Sequence, residues 1–363
     1  MIKAMMSKRK GVRFSLVPHG AIALFLLSFT GLAGTPAMAS AAPVSPSLMA
    51  DTPTAATPST ALFRIPQNGK FGFIDRTGKV VIPPQFDLAW SFVNGRSQIK
   101  VDDQYGYIDE TGKIVIPAKF RLAFAFSDGL ALVVLGTKFG YVDPQGKLVI
   151  PPQFDEALAF REGLAAVKIN DQYGFINKQG KFIIAPQFDS ATYFSGGLAA
   201  VKLNDQYGYI NATGKFVIPP QFAGDLAPDL STFKEGLAGV QQGDRWGYID
   251  TTGKLVIAPQ FDDIREFSEG RAAVELNDQW GFIDTTGKLV IAPQYDRVDR
   301  FSGGLAPVKQ GDRYGYIDTT GKLVIPIQFL YALSFTDGLA LVYTPEGAAY
   351  IDPTGRLIWG PGK

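Results

Sequence analysis

The sequence predicts an all-β protein, a tandem array of three-stranded antiparallel meanders that each occupy about 34 residues. Three observations carry this. An aromatic-Gly pair recurs at Phe71-Gly72, Tyr105-Gly106, Phe139-Gly140, Tyr173-Gly174, Tyr207-Gly208, Trp246-Gly247, Trp280-Gly281 and Tyr314-Gly315, with steps of 34 residues and a single step of 39. A second marker keeps the same register: a Phe stands 21 residues after the aromatic in seven copies, beginning with Phe92, and 26 after it in the copy with the long step, at Phe233. Between these marks no i, i+3, i+4 pattern runs far enough to make a helix.

Taken in order, one unit opens with the short apolar strand Gly163 to Lys168, and Asn170-Asp171-Gln172 forms a polar tip. A second strand, Tyr173 to Asn177, leads through Lys178-Gln179-Gly180 into a third, which is expected to stop at Pro186 for want of an N–H. Pleating turns Tyr173, Phe175 and Asn177 one way and Gly174 and Ile176 the other. A Gly beside each aromatic lets a neighbouring strand or ring come close. In Leu289, Val290 and Ile291 the third strand is apolar on both sides, and burial between layers is expected. One unit cannot cover that surface, so units must stack. The half unit Leu62 to Pro66 and the degenerate copy from Ala348 to Trp359 read as caps. Caps favour an open curved solenoid, with a closed propeller-like ring as the alternative.

The chain divides into three segments. Residues 1–39 carry Lys3, Lys8, Arg9, Lys10 and Arg13, an apolar run from Ala21 to Ala33, and Ala37-Met38-Ala39, the order of a secretory signal peptide. The run falls short of the ~20 residues that span a bilayer. Residues 40–61 are a Pro/Ala/Ser/Thr linker, and residues 62–363 form the repeat domain. An exported protein of the periplasm, envelope or exterior follows, with no stable membrane span after cleavage.

Loss of the leader takes five basic residues away, leaving 30 Lys and Arg against 34 Asp and Glu, a net charge of −4. Such a chain suits no phosphate backbone, so nucleic acid is not an expected partner. His19 is the sole histidine and lies in the leader, and there is no Cys. Residues 40–363 therefore hold no Ser-His-Asp or Cys-His pair and no imidazole or thiolate zinc site. No cofactor, metal or enzymatic activity is expected.

The pattern aromatic-Gly-[Phe/Tyr]-Ile-Asp-x-x-Gly-Lys-x-[Val/Ile]-Ile-x-Pro-x-Phe, followed by Phe-x-x-Gly-Leu-Ala, resembles the WG-repeat family, also called KWG repeats, over about residues 62–358. Only Trp246-Gly247 and Trp280-Gly281 carry the eponymous Trp. The resemblance implies an all-β array, often exported or envelope-associated in bacteria, and no settled activity.

Three repeated columns compete for a functional role. Asp75, Asp109, Asp143, Asp250, Asp284, Asp318 and Asp352 share one position, replaced by Asn177 and Asn211. Exchange with Asn suits a turn-forming side chain better than the unique acid of a carboxylate glycosidase. Lys79, Lys113, Lys147, Lys181, Lys215, Lys254, Lys288, Lys322 and Arg356 form a row that reads as a solvated edge or as a basic stripe. The aromatic column is the main ligand-binding candidate, at Trp246 and Trp280 with Tyr207 and Tyr314, because rings in a row can stack on sugars or anchor a protein. The five inserted residues, between Phe222 and Phe233, add Asp225 and Asp229 as candidates in a loop that breaks the array. The expected partner is an envelope or extracellular protein, or else a cell-wall glycan.

Overall fold

The computed structural model describes residues 61–223 and 230–361. The leader, the linker up to residue 60, and Asp225 and Asp229 lie outside the described residues.

Turn chemistry fixes each meander first. In Asn170-Asp171, Asn204-Asp205 and Asn277-Asp278 both residues take positive φ, from 49° to 63°, the type I′ hairpin geometry that matches strand twist. Gly243-Asp244 and Gly311-Asp312 turn instead with positive φ at the Gly alone, as type II′ does. Residues 163–188 then form a sheet in the expected order, with Leu164–Ile169 paired to Gln172–Asn177 and that strand paired to Phe182–Phe188. One strand was not foreseen. The two residues Glu156–Ala157 pair with Lys168 and Val167, so this blade has four strands. A single residue, Asp155, separates that short strand from the previous blade, which ends at Phe154.

The last strand of the blade departs from expectation twice. It runs through Pro186 to Phe188 because it is a sheet edge, where a missing N–H costs no ladder bond. It also bulges: Tyr173 faces Phe188 and Phe175 faces Ile184, so four residues on one side answer two on the other. The bulged backbone lies over Gly174, where an added Cβ would sit 2.6 Å from the Ile184 carbonyl oxygen. Gly174 is required for close approach, as the sequence suggested. The expected burial of Leu289, Val290 and Ile291 is corrected. Ile291 is buried but Leu289 is 44% exposed and Val290 intermediate, because an edge strand has a neighbour on one side only.

Among the described residues nine such sheets follow one another, from Phe63–Phe86 to Tyr331–Trp359. The first blade and the sixth have three strands among the described residues, and the other seven have four. Nine hydrophobic clusters accompany them among the described residues. Eight join consecutive blades. The ninth joins Phe63, Ile65 and Ile74 of the first blade to Leu339, Tyr350 and Ile358 of the last. An open array of nine would have eight such interfaces. Here the ring is closed as a nine-bladed β-propeller, so the closed alternative holds and the open solenoid does not. At the seam the Tyr350 hydroxyl donates to the Arg64 carbonyl at 2.9 Å, and the Phe63 and Tyr350 rings stand 5.5 Å apart. The turn glycines repeat the closure. A Cβ on Gly287 would meet Ile257 of the preceding blade at 3.1 Å, and the first blade's Gly78 meets Ile358 of the last blade. The supposed end caps are the two halves of one more interface.

Candidate functional site

The ring has two faces, set by the meander. Hairpin tips such as Asn170-Asp171 lie at one end of the sheets. The Asp-x-x-Gly-Lys turns and the Phe-x-x-Gly loops lie at the other.

On the turn face the repeated Asp is structural. Asp284 Oδ1 accepts from the Thr286 amide at 2.9 Å, the Thr286 hydroxyl at 2.6 Å and the Lys288 amide at 3.1 Å. Asn177 does the same work with its amide oxygen, toward Gln179 and Lys181. This is the Asx turn that tolerance of Asn implied. The threonine hydroxyl, and then the backbone amides, hold the carboxyls of Asp75, Asp250, Asp284 and Asp318 below the usual carboxylate range. A depressed folded-state pKa gives stability that is present above the unfolded value and lost as pH falls through the lower folded one. Asn has no such step. Urea midpoints of an Asp250→Asn, Asp284→Asn double variant are expected to fall less between pH 7 and pH ~3 than those of the natural chain. An equal fall in both would remove the carboxyls from the acid response.

A second set of acids on this face escaped the sequence reading. Glu162 accepts from the Gly196 and Gly197 amides of the next blade at 2.8 and 2.9 Å, and Glu269 from Gly303 and Gly304 at the same distances. Asp128 reaches Gly163 and Glu235 reaches Gly270. The signal was available, since loops ending Gly-Gly follow loops ending Glu-Gly one repeat earlier. Beside these acids project the nine basic residues of the row, all exposed. Arg356 pairs with Asp352 at 2.9 Å, while among the described residues none of the eight lysines has a carboxylate within 4 Å, Lys79, Lys254 and Lys322 acting on Asp75, Asp250 and Asp318 from farther off.

The aromatic column does not form an exposed platform. Tyr207, Trp280 and Tyr314 are buried at 2%, 5% and 7% exposure. Trp280 fills the cluster between the seventh and eighth blades, and the Arg265 guanidinium lies 4.4 Å above its ring. Burial pushes the Tyr207 phenol up to about 12. Tyr314 packs against Tyr331 at 5.3 Å. Trp246 is half-buried, against the cluster that includes Ile264 and Leu276. The structure therefore separates Trp246 and Trp280 between different inter-blade clusters and does not gather them into one site.

What the ring does expose is aliphatic. Of the large hydrophobic side chains with 36% exposure or more, most stand one or two residues after the basic row on the edge strands, among them Val80, Ile114, Ile183, Leu255, Leu289 and Leu323. They make a rim around the sheet edges. The main interruption is at the seam, where Thr77, Gly78, Lys79, Ile358 and Trp359 line an open cavity of about 310 Å³.

Eight consecutive segments between residues 71 and 344 match the WG containing repeat. The chain belongs to the WG-repeat family. No curated protein matches this WG-repeat chain. Among solved structures it is similar to a crystal structure of the eukaryotic initiation factor, at 12% identity and a TM-score of 0.58 over 82% of this chain and 95% of that one, a likeness of fold. Hsv2 from Kluyveromyces lactis aligns at 14% identity and a TM-score of 0.36, covering 53% of this chain and 70% of that one. PorZ of Porphyromonas gingivalis aligns at 10% identity and 0.34, covering 85% and 52%. Neither of the last two bears on the site.

Proposed function

We propose that this WG-repeat protein is an exported, non-catalytic scaffold that binds a protein of the envelope or exterior through its aliphatic rim. The observation that carries the reading is the rim itself, where exposed Leu, Ile and Val recur from blade to blade within the two strand positions that follow the basic row. Exposed apolar side chains gathered in this way mark protein contact surfaces. Prolines in the same strands, such as Pro186 and Pro259, blunt backbone pairing at the edge, so side chains must carry the contact. The absence of His and Cys from residues 40–363 supports a role without catalysis.

Leu255→Lys, Leu289→Lys and Leu323→Lys together test this, since each side chain is already exposed and the fold should hold. Pull-down from envelope extract with the triple variant is expected to lose the partner that the natural chain retains. An unchanged partner set would sink the rim as the site. Co-sedimentation with purified cell wall is the complementary arm. Retention there, lost on Trp359→Ala, would move the reading to a glycan held at the seam cavity, where an indole lies beside an ammonium.

A further inference from the structure

We propose that the ring stacks head to tail on a second copy of this chain, the turn face of one molecule meeting the tip face of the next. The two faces differ in which charges project. On the turn face most carboxylates are tied to backbone amides, those of Asp128, Glu162, Glu235 and Glu269 while staying exposed, and Asp337 stands 62% exposed beside Arg76. Asp284 and its equivalents accept amide and hydroxyl protons of their own turn, and Glu162 and Glu269 each accept two amides of the neighbouring blade. The lysines of the row, from Lys79 to Lys322, are exposed beside them, with no carboxylate within 4 Å among the described residues.

On the tip face the order is reversed. Asp103, Asp171, Asp205, Asp244, Asp278 and Asp312 occupy the outermost position of six hairpins and Glu346 that of the last blade, while the first and third blades turn at Asn68-Gly69 and Gly136-Thr137. The side chains of Asp103, Asp171 and Asp205 are 96%, 102% and 101% exposed. In three blades the cations lie back along the strands, with Lys100, Lys168 and Lys202 at 2.8, 3.9 and 3.8 Å from those carboxylates and themselves 24%, 21% and 19% exposed, while Lys70, Lys138 and Arg245 stand at their hairpins paired with Asp87, Asp155 and Asp262.

Two geometric facts fit these faces to each other. Both crowns have the repeat's own step, so the seven acidic tips of one ring come into register with seven of the nine basic positions of another. In every blade the tip and the turn share one strand, which offsets the crowns by one strand spacing, ~4.8 Å. A lysine side chain spans that offset. Each exposed pair is weak alone, and common register makes the pairs act together. Identical rings joined by two different faces form an open series, with no closed dimer as its end point. The aliphatic rim lies at the sheet edges and stays free, so the inference is independent of the rim reading.

Sedimentation velocity of the full chain at two salt concentrations tests it. At ~10 mM salt, where the Debye length is ~30 Å, the weight-average sedimentation coefficient should climb with protein concentration. At ~300 mM it should return to that of the monomer. Asp171→Asn, Asp205→Asn and Asp278→Asn together should abolish the climb. Asn is favoured where φ is positive, as at these residues (62° and 63°), so the fold is kept. Lys181→Gln, Lys215→Gln and Lys254→Gln should abolish it from the other face. The idea is overturned by a monomer at both salt concentrations, by a climb that the tip variant leaves intact, or by a single closed dimer.

Discussion

Replacing Trp280 with Ala is expected to lower unfolding free energy by about 3–5 kcal/mol, the range for truncating a buried aromatic side chain. The ring is 5% exposed, fills the cluster between two blades together with Phe282, Ile291 and Phe301, and carries the Arg265 guanidinium above its face. Its removal leaves a void that backbone constraints prevent from closing, because Gly281 beside it is pinned under the bulged strand. An added Cβ there would stand 2.4 Å from the Ile291 carbonyl oxygen. Trp246→Ala should cost roughly half as much, since that ring is half-buried at the next cluster back. Urea midpoints of the two variants decide the matter. Equal small losses would mean that Trp280 contributes little to packing, and would restore it as a candidate for ligand contact.

The second large effect is expected at the seam. Ile65→Ala should cost about 2–5 kcal/mol, and Ile249→Ala, in the middle of the ring, should cost the same within a factor of two. Both side chains are buried to within 1%, one in the closing cluster and the other between the fifth and sixth blades. Equality is the signature of closure. In an open array Ile65 would belong to a frayed end, and its truncation would be felt weakly or not at all. Urea titration of the two variants side by side separates these cases, and a near-zero loss at Ile65 would argue that the ring opens in solution.

How much of this was legible in the sequence follows from the range over which each determinant acts. The turns were readable because Asn170-Asp171 and Asp284 to Lys288 fold by contacts among five residues. The Gly174 requirement was readable for the same reason. Closure was not. Its partners, Phe63 and Ile65 against Tyr350 and Ile358, come from the two least regular stretches of the chain and share no motif. The fourth strand misled because Leu289-Val290-Ile291 has the composition of a strand covered on both sides, yet only Ile291 is covered. Composition cannot distinguish a buried strand from an edge strand whose exposed side chains serve an external contact. The aromatic column misled in the opposite sense. A row of rings suggests a platform, and spacing alone cannot say that Tyr207, Trp280 and Tyr314 point between blades. The clamps of Glu162 and Glu269 were within reach, but only to a comparison of neighbouring copies, since the acid and the amides it serves lie 34 and 35 residues apart.

The hydrogen bond from Tyr350 to Arg64 spans 286 residues of chain, whereas blade-to-blade contacts elsewhere span little more than one repeat. Chain-closure entropy grows as the logarithm of that separation, so joining the seam costs about 2 kcal/mol more than joining two consecutive blades. Eight interfaces can assemble by short diffusive searches, in any sequence. The ninth must wait for all of them, and until it forms the molecule is a split washer with two sticky ends. Those ends are complementary to each other and equally to the ends of any other unfinished washer. The hazard in making this protein is thus concentrated in a single late event, in which intramolecular capture has to outrun exchange with a neighbour, and dilution is what favours the correct outcome.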